Sequence, residues 1–149
     1  MIEIKEFNKN NQLTASEKQQ IISFLYKSLE QYGDPESSIE KAINYALGEQ
    51  GSLGGHVLTA NLHGNLCGVV VINKTGMDEY IPANILVYIA TDKEHRGKGI
   101  GKELMQKAIE TTTGDIALHV EPDNPAKKLY ERLGFTNKYL EMRLVKEDQ

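Results

Sequence analysis

The stretch of sequence that decides the fold is Tyr88-Ile-Ala-Thr-Asp-Lys-Glu-His-Arg-Gly-Lys-Gly-Ile-Gly101, in which an apolar run leads into a glycine-rich turn. This pattern predicts a strand, then a turn, then a helix. Gly97, Gly99 and Gly101 remove side chains from alternate positions, so backbone N–H groups can face inward and approach a ligand closely. The helix adds unpaired amides and the positive end of its dipole. We therefore expect an anion here, a phosphate or pyrophosphate.

Two known kinds of phosphate-binding loop do not fit the spacing of this turn. A P-loop requires Ser or Thr after its lysine, whereas Lys102 is followed by Glu103. The dinucleotide-binding pattern Gly-x-Gly-x-x-Gly, begun at Gly97, would need glycine in place of Lys102 and would open a βαβ unit near the start of its domain. Glycine-rich turns are also common in ordinary loops, so this turn alone does not establish a ligand site.

A second motif follows after one predicted helix and one predicted strand. Its sequence is Asn124-Pro-Ala-Lys-Lys-Leu-Tyr-Glu-Arg-Leu-Gly-Phe135. Together with Arg96-x-x-Gly99-x-Gly101, it resembles the two signatures of the GNAT superfamily of acyltransferases: an acetyl-CoA loop, and a helix that carries Leu-Tyr and ends in Gly-Phe. The resemblance extends from Ile85 to Leu144 and more loosely over the whole chain. It implies an N-acetyltransferase that uses acetyl-CoA as co-substrate, acts on a primary amine in a ternary complex and needs no metal.

The resemblance also implies a set of cofactor contacts. Backbone amides of the loop would hold the pyrophosphate, with Arg96 or Lys98 adding positive charge, and the edge of the preceding strand would pair with the pantetheine arm. Asn124 would cap its helix and touch the same arm, although it precedes Tyr130 by six residues rather than by the seven common in the family. Of Lys127 and Lys128, at least one is expected to be solvated. The residues expected to bind the cofactor are Ile89, Ala90, Thr91, Arg96, Gly97, Lys98, Gly99, Ile100, Gly101, Asn124 and Lys127.

Tyr130 is the candidate general acid. In GNAT proteins the tyrosine of this Leu-Tyr pair lies near the sulfur and can donate a proton to the leaving thiolate. A lone tyrosine on a helix is more commonly a packing residue. We expect Leu129 and Leu133 on the buried face of the helix, with Tyr130 rotated off that face.

The general base is left open by the sequence. The strand before the glycine-rich turn contains neither a carboxylate nor a histidine. Glu121 is the candidate, because it shares a face with His119 at the end of the strand predicted from Ile116. Asp78 and Glu79 in an earlier loop are rivals, and the amine could also lose its proton through water.

The rest of the chain predicts an α/β domain that spans residues 1–149. The expected order is β-αα-ββ-β-α-β-α-β, with a mixed, mostly antiparallel central sheet flanked by helices, which matches the GNAT fold. A capping box at Ser16-x-x-Gln19 begins the first helix, and Asp34-Pro35 begins the second. The predicted strands are Ile2–Phe7, His56–Leu62, Leu66–Ile72, Ala83–Ala90, Ile116–Val120 and Phe135–Leu144. The helix after the turn has the apolar stripe Ile100, Leu104, Ala108 and Ile109, and residues from Lys146 to the end are expected to fray.

Composition excludes several classes of protein. A net charge of −4 and a pI of about 5.6 argue against nucleic acid and anionic membrane as partners and favour a cationic or neutral acceptor. The sequence has no apolar stretch of about 18 residues and no signal-peptide pattern at its start, so we expect a cytoplasmic protein. Cys67, the single cysteine, lies in an apolar run and is expected to be a buried, inert thiol. A homodimer is compatible with the resemblance.

Three functions remain in competition at the level of the sequence. The first is an acetyl-CoA-dependent N-acetyltransferase, which Tyr130 favours. The second is a non-catalytic acyl-CoA-binding module, which the missing carboxylate on the strand before the turn favours. The third, an interaction domain with an accidental glycine turn, would require both motifs to arise by chance and ranks last.

Overall fold

The computed structural model of the protein describes residues 2–147 and contains, within them, one five-stranded sheet in the order β1-β2-β3-β4-β5. The first four strands pair antiparallel, and β5 is parallel to β4. The α/β class and the mixed, mostly antiparallel sheet are therefore confirmed. The strands are β1 (Ile2–Phe7), β2 (Gly55–Leu62), β3 (Asn65–Lys74), β4 (Asn84–Thr91) and β5 (Ile116–Leu118), and the helices are α1 (Ala15–Leu29), α2 (Glu36–Ala46), α3 (Ile100–Thr111) and α4 (Ala126–Arg132).

The chain divides into two compact units. The first extends to Leu118 and holds the whole sheet with α1, α2 and α3; the second begins at His119 and holds α4. A single domain over residues 1–149 stays a prediction. None of the helices in residues 2–147 combines the length and the apolar character that a membrane span requires.

Helices cover both faces of the sheet in the first unit. Val69 and Val71 of β3 belong to one buried cluster with apolar residues of α1 and α2. Gly68, whose Cβ position lies on the opposite face, is covered by α3: a Cβ added there would lie 2.6 Å from Leu104 Cδ1. The buried stripe of α3 contains Met105 in place of the predicted Ile109, which is 39% exposed.

Local sequence signals set most of the element boundaries. The β2–β3 turn uses His63 and Gly64 with φ of 52° and 80°, the left-handed geometry of a two-residue hairpin. The capping box of α1 lies two residues earlier than predicted: Thr14 Oγ1 accepts from the Glu17 N–H, and Glu17 Oε1 accepts from the Thr14 N–H. The ionised carboxylate of Glu17 is a better partner for the helix N-terminus than the neutral amide of Gln19.

The predicted last strand, Phe135–Leu144, is wrong: residues 135–147 contain neither helix nor strand. Leu140, Met142 and Leu144, which alternate with polar residues in this stretch, are 85%, 89% and 86% exposed. Alternation marks a strand only where a neighbouring strand supplies hydrogen bonds and another layer covers one face. The fraying predicted for the chain end concerns partly Asp148 and Gln149, which lie outside the described residues.

Candidate active site

The β4 strand is longer than its neighbour β5, which leaves one edge of β4 open. Only Asn84–Leu86 pair with β5, so the following residues up to Thr91 have no strand on that side within residues 2–147. The Asp92 N–H donates to the Cys67 carbonyl at 3.1 Å. Because hydrogen-bonding direction alternates along an antiparallel strand, the backbone groups of Ile89 and Thr91 face the open side, whereas those of Ala90 face β3.

A β-bulge lies where β4 separates from β5. Val71 and Ile72 are consecutive in β3, but their partners in β4, Tyr88 and Leu86, are two residues apart. Val87 is therefore the extra residue of the bulge. A bulge interrupts the ladder and increases the local twist. The strand is therefore bent just where its second neighbour ends.

The glycine-rich loop connects this open strand to α3. Asp92 Oδ1 accepts from the His95 N–H at 3.0 Å and caps a short 3-10 turn, Lys93–His95. Gly97 and Gly99 follow with φ of +81° and +80°, and a Cβ at either would meet nothing within 4 Å. Gly99 is the N-cap of α3, whose first amides have no intrahelical partner. Open surroundings and unpaired amides at the start of a twelve-residue helix would suit a pyrophosphate, and binding of one at this loop stays a prediction.

The two cations of the loop have different environments. Arg96 Nη2 donates to the Ser28 carbonyl and to Glu30 Oε1, each at 3.1 Å, so its guanidinium lies at the end of α1. Lys98 is exposed. Ile100 is almost fully buried and anchors the first turn of α3 in the core.

In the second unit, Tyr130 is the buried residue of α4, whereas Leu129 and Leu133 are only half-buried. The prediction that the two leucines are buried and Tyr130 lies off the buried face is therefore wrong. The Tyr130 ring packs edge-on against Phe135 with centroids 6.0 Å apart. Burial raises the pKa of Tyr130 to about 12, so its hydroxyl keeps its proton at neutral pH.

The other predicted residues of the second unit lie around α4. Asn124 Oδ1 accepts from the N–H of Ala126, the first residue of α4, at 2.9 Å, whereas the N-cap position is occupied by Pro125 and not by Asn124 as predicted. Lys127 Nζ lies 4.0 Å from Glu131 Oε2 on an exposed face. An exposed pair at this distance is weak, so it does not fix the orientation of the lysine side chain.

The predicted strand that would place Glu121 and His119 on one face is wrong. β5 ends at Leu118, and both His119 and Glu121 are exposed residues outside any strand. The Glu121 carbonyl accepts from the Asn124 N–H in a turn. Within residues 2–147, β5 pairs with β4 over three residues only, so the ladder that holds the strand extended does not continue to Glu121.

One polar contact of the site was missed. Tyr88 Oη donates to Asp34 Oδ2 at 2.6 Å, joining β4 to the connection between α1 and α2. Burial, reinforced by the hydrogen bond to Asp34, raises the pKa of Tyr88. Asp34 and Tyr88 are 54 residues apart in the sequence. Asp34 before Pro35 indicates only the start of a helix, so no local sequence pattern predicts this hydrogen bond.

Comparison with known proteins connects the chain with one family. The sequence model of the family described as "Acetyltransferase (GNAT) domain" matches residues 54–137, more than half of the chain. The chain therefore belongs to the GNAT acetyltransferase family and is a GNAT-type N-acetyltransferase. No curated protein matches it significantly in sequence.

Several solved structures share the fold over nearly the whole chain. A GNAT family acetyltransferase from Streptococcus pneumoniae TIGR4 has a TM-score of 0.71 at 17% identity, covering 99% of this chain and 100% of that one. A ribosomal-protein-alanine N-acetyltransferase from Brucella melitensis biovar Abortus 2308 has 0.63 at 20%, covering 97% and 99%. An aminoglycoside 6′-N-acetyltransferase from Acinetobacter haemolyticus has 0.69 at 16%, covering 99% of each chain. At these identities the likeness concerns the fold alone.

Proposed function

We propose that the protein transfers the acetyl group of acetyl-CoA to a primary amine of a small molecule, peptide or protein by direct attack in a ternary complex. The observation that carries the proposal is the continuity of the open edge of β4 with the glycine-rich loop. One surface offers unpaired backbone groups, and the other offers unpaired amides at a helix N-terminus. An extended ligand with a pyrophosphate at one end fits both.

When bound, acetyl-CoA supplies a thioester with an electrophilic acyl carbon. The chain's own contribution is to hold and orient this group. The amides between Gly97 and Gly101 bind the pyrophosphate, and the outward backbone groups of Ile89 and Thr91 pair with the pantetheine arm. Asn124 and Lys127 complete the proposed contacts, and Arg96 and Lys98 add positive charge beside the amides.

Two side chains move protons in the proposed reaction. Tyr130 holds a proton on Oη, and its raised pKa supports the role of a general acid toward the departing thiolate. Glu121 is the proposed acceptor of the amine proton, either directly or through water. Its exposure leaves it accessible to solvent, and Asp78 and Glu79 remain rivals.

Thiol release from acetyl-CoA over a panel of primary amines tests the proposal, with coenzyme A binding measured in parallel by calorimetry. We expect coenzyme A to bind, free thiol to appear only with an amine, and the amine to gain one acetyl group by mass spectrometry. Binding without thiol release from any amine would instead identify a non-catalytic acyl-CoA module. Absence of coenzyme A binding would overturn both functions.

A further inference from the structure

The connection between α1 and α2 is attached at two points to the proposed acetyl-CoA site. Arg96 of the glycine-rich loop binds Glu30 and the Ser28 carbonyl. Tyr88 of β4 binds Asp34, which lies just before α2. The connection therefore lies next to both β4 and the loop that follows it.

Tyr88 holds the Asp34 carboxylate by one oxygen only. The tyrosine ring is buried in the cluster with α1 and α2, and only its hydroxyl reaches the connection. The raised pKa of Tyr88 keeps this hydroxyl a donor, so the orientation of the carboxylate is maintained. Asp34 itself is exposed to solvent, and none of the ion pairs within residues 2–147 involves it. Its other oxygen is available to a ligand.

The position of this carboxylate relates it to the proposed reaction. Tyr88 is adjacent to the bulge residue Val87, in the part of β4 that has lost β5 as a neighbour. This is the segment along which the thioester end of acetyl-CoA is proposed to lie. A carboxylate fixed by Tyr88 therefore lies on the α1 and α2 side of the proposed transfer site.

Acidic side chains predominate in the sequence around Asp34. Residues 30–40 contain four acidic side chains, Glu30, Asp34, Glu36 and Glu40, and no lysine or arginine. Glu30 is paired with Arg96, whereas none of the ion pairs within residues 2–147 involves Asp34 or the two carboxylates of α2, Glu36 and Glu40. Such a segment attracts cations and repels anionic acceptors.

We propose that Asp34 binds a positively charged group of the acceptor, and that the acceptor is an alkylamine with a second positive charge besides the nitrogen that is acetylated. The reacting nitrogen must be neutral when it attacks, so an ion pair that lasts through the reaction requires another cation. Tyr88 is a positioning residue that orients the carboxylate. This inference rests on the proposed function.

The test compares two probes that differ by one charge, butane-1,4-diamine and butylamine. For the wild-type protein we expect kcat/KM to be at least about tenfold higher with the diamine. Asp34→Asn should remove this preference mainly through the KM for the diamine, with kinetics for butylamine and KM for acetyl-CoA unchanged. Tyr88→Phe should raise the KM for the diamine by a smaller factor with kcat nearly unchanged, an effect that a purely structural tie would not produce.

Glu36→Gln is the matched control, because it removes another exposed carboxylate, two residues away, that lies outside the hydrogen bond to Tyr88. Circular dichroism melting of all three variants shows that they are folded. The inference is overturned if the wild type does not prefer the diamine, if Asp34→Asn affects both amines equally, or if Glu36→Gln matches Asp34→Asn. Those outcomes leave the proposed function standing, because thiol release with other amines would persist; failure with every amine would overturn the proposed function as well.

Discussion

Arg96 Nη2 lies 3.1 Å from Glu30 Oε1, so the first cation of the glycine-rich loop lies at the C-terminal end of α1. The same nitrogen donates to the Ser28 carbonyl, one of the last carbonyls of the helix, which have no intrahelical donor. A guanidinium at this position is also favoured by the helix dipole. In this structure Arg96 therefore links the loop to α1, and the backbone amides are left as the main groups for the proposed pyrophosphate.

Arg96→Ala is expected to weaken coenzyme A binding by less than tenfold, since it removes one charge and leaves the amides. The loss of stability should be at most about 1 kcal/mol, because both partners are largely exposed. Calorimetry and urea unfolding measure the two effects. Lys107→Ala on the exposed face of α3 controls for the lost charge. A loss of binding larger than that of Gly99→Val would show that Arg96 is the principal phosphate ligand.

Gly99→Val should weaken coenzyme A binding by at least tenfold, about 1.4 kcal/mol. The substitution adds a branched side chain where the pyrophosphate is proposed to approach, at a φ of +80° that also strains the backbone. Gly64→Val is the matched control, because Gly64 has the same φ and equally open surroundings in the β2–β3 turn. Unchanged affinity in a folded Gly99→Val protein would remove the loop from the cofactor site.

Tyr130→Phe should lower kcat by about a hundredfold to ten-thousandfold, the usual contribution of a general acid. The ring and its contact with Phe135 remain, so stability and coenzyme A binding should change little. Single-turnover kinetics measure the chemical step, with Tyr139→Phe, at an exposed tyrosine of the same unit, as control. If Tyr130→Phe turned over at the wild-type rate, Tyr130 would be a packing residue and not the general acid.

Glu121→Gln should lower kcat/KM and alter its pH profile while acetyl-CoA affinity stays constant, because only the proposed proton acceptor is removed. Glu141→Gln, at an exposed carboxylate of the same unit, is the control. A pH profile identical to that of the wild type would transfer the role to water or to the loop with Asp78 and Glu79.

Gly68→Ala should destabilise the fold by about 1–3 kcal/mol, because the added Cβ would lie 2.6 Å from Leu104 Cδ1 and both residues are in the packed core. Leu104→Ala alone leaves a cavity and costs about 2–5 kcal/mol. In the double variant Gly68→Ala/Leu104→Ala the added methyl group fills part of the cavity. The loss in the free energy of unfolding should therefore be smaller than the sum of the two single losses. Additive losses in urea unfolding would show that Gly68 does not limit the approach of α3.

The sequence by itself determined the features that depend on a few consecutive residues. Glycines at positions 64, 97 and 99 favour left-handed backbone in the β2–β3 hairpin turn and in the glycine-rich loop, and all three have positive φ. Apolar periodicity located every strand of the observed sheet, and two spaced motifs identified the family. It also predicted a capping box for α1, but two adjacent patterns satisfied that rule and Ser16 was the wrong choice.

Only the tertiary structure decided which distant surfaces meet. Tyr88 finds Asp34 across 54 residues, and Arg96 finds Glu30 across 66, without any local pattern that pairs them. The bulge at Val87 and the short length of β5 depend on how neighbouring strands align. Whether Phe135–Leu144 forms a strand depends on whether another strand pairs with it. Local conformation follows from the energetics of neighbouring residues, whereas these contacts form only after loops close and the elements pack together.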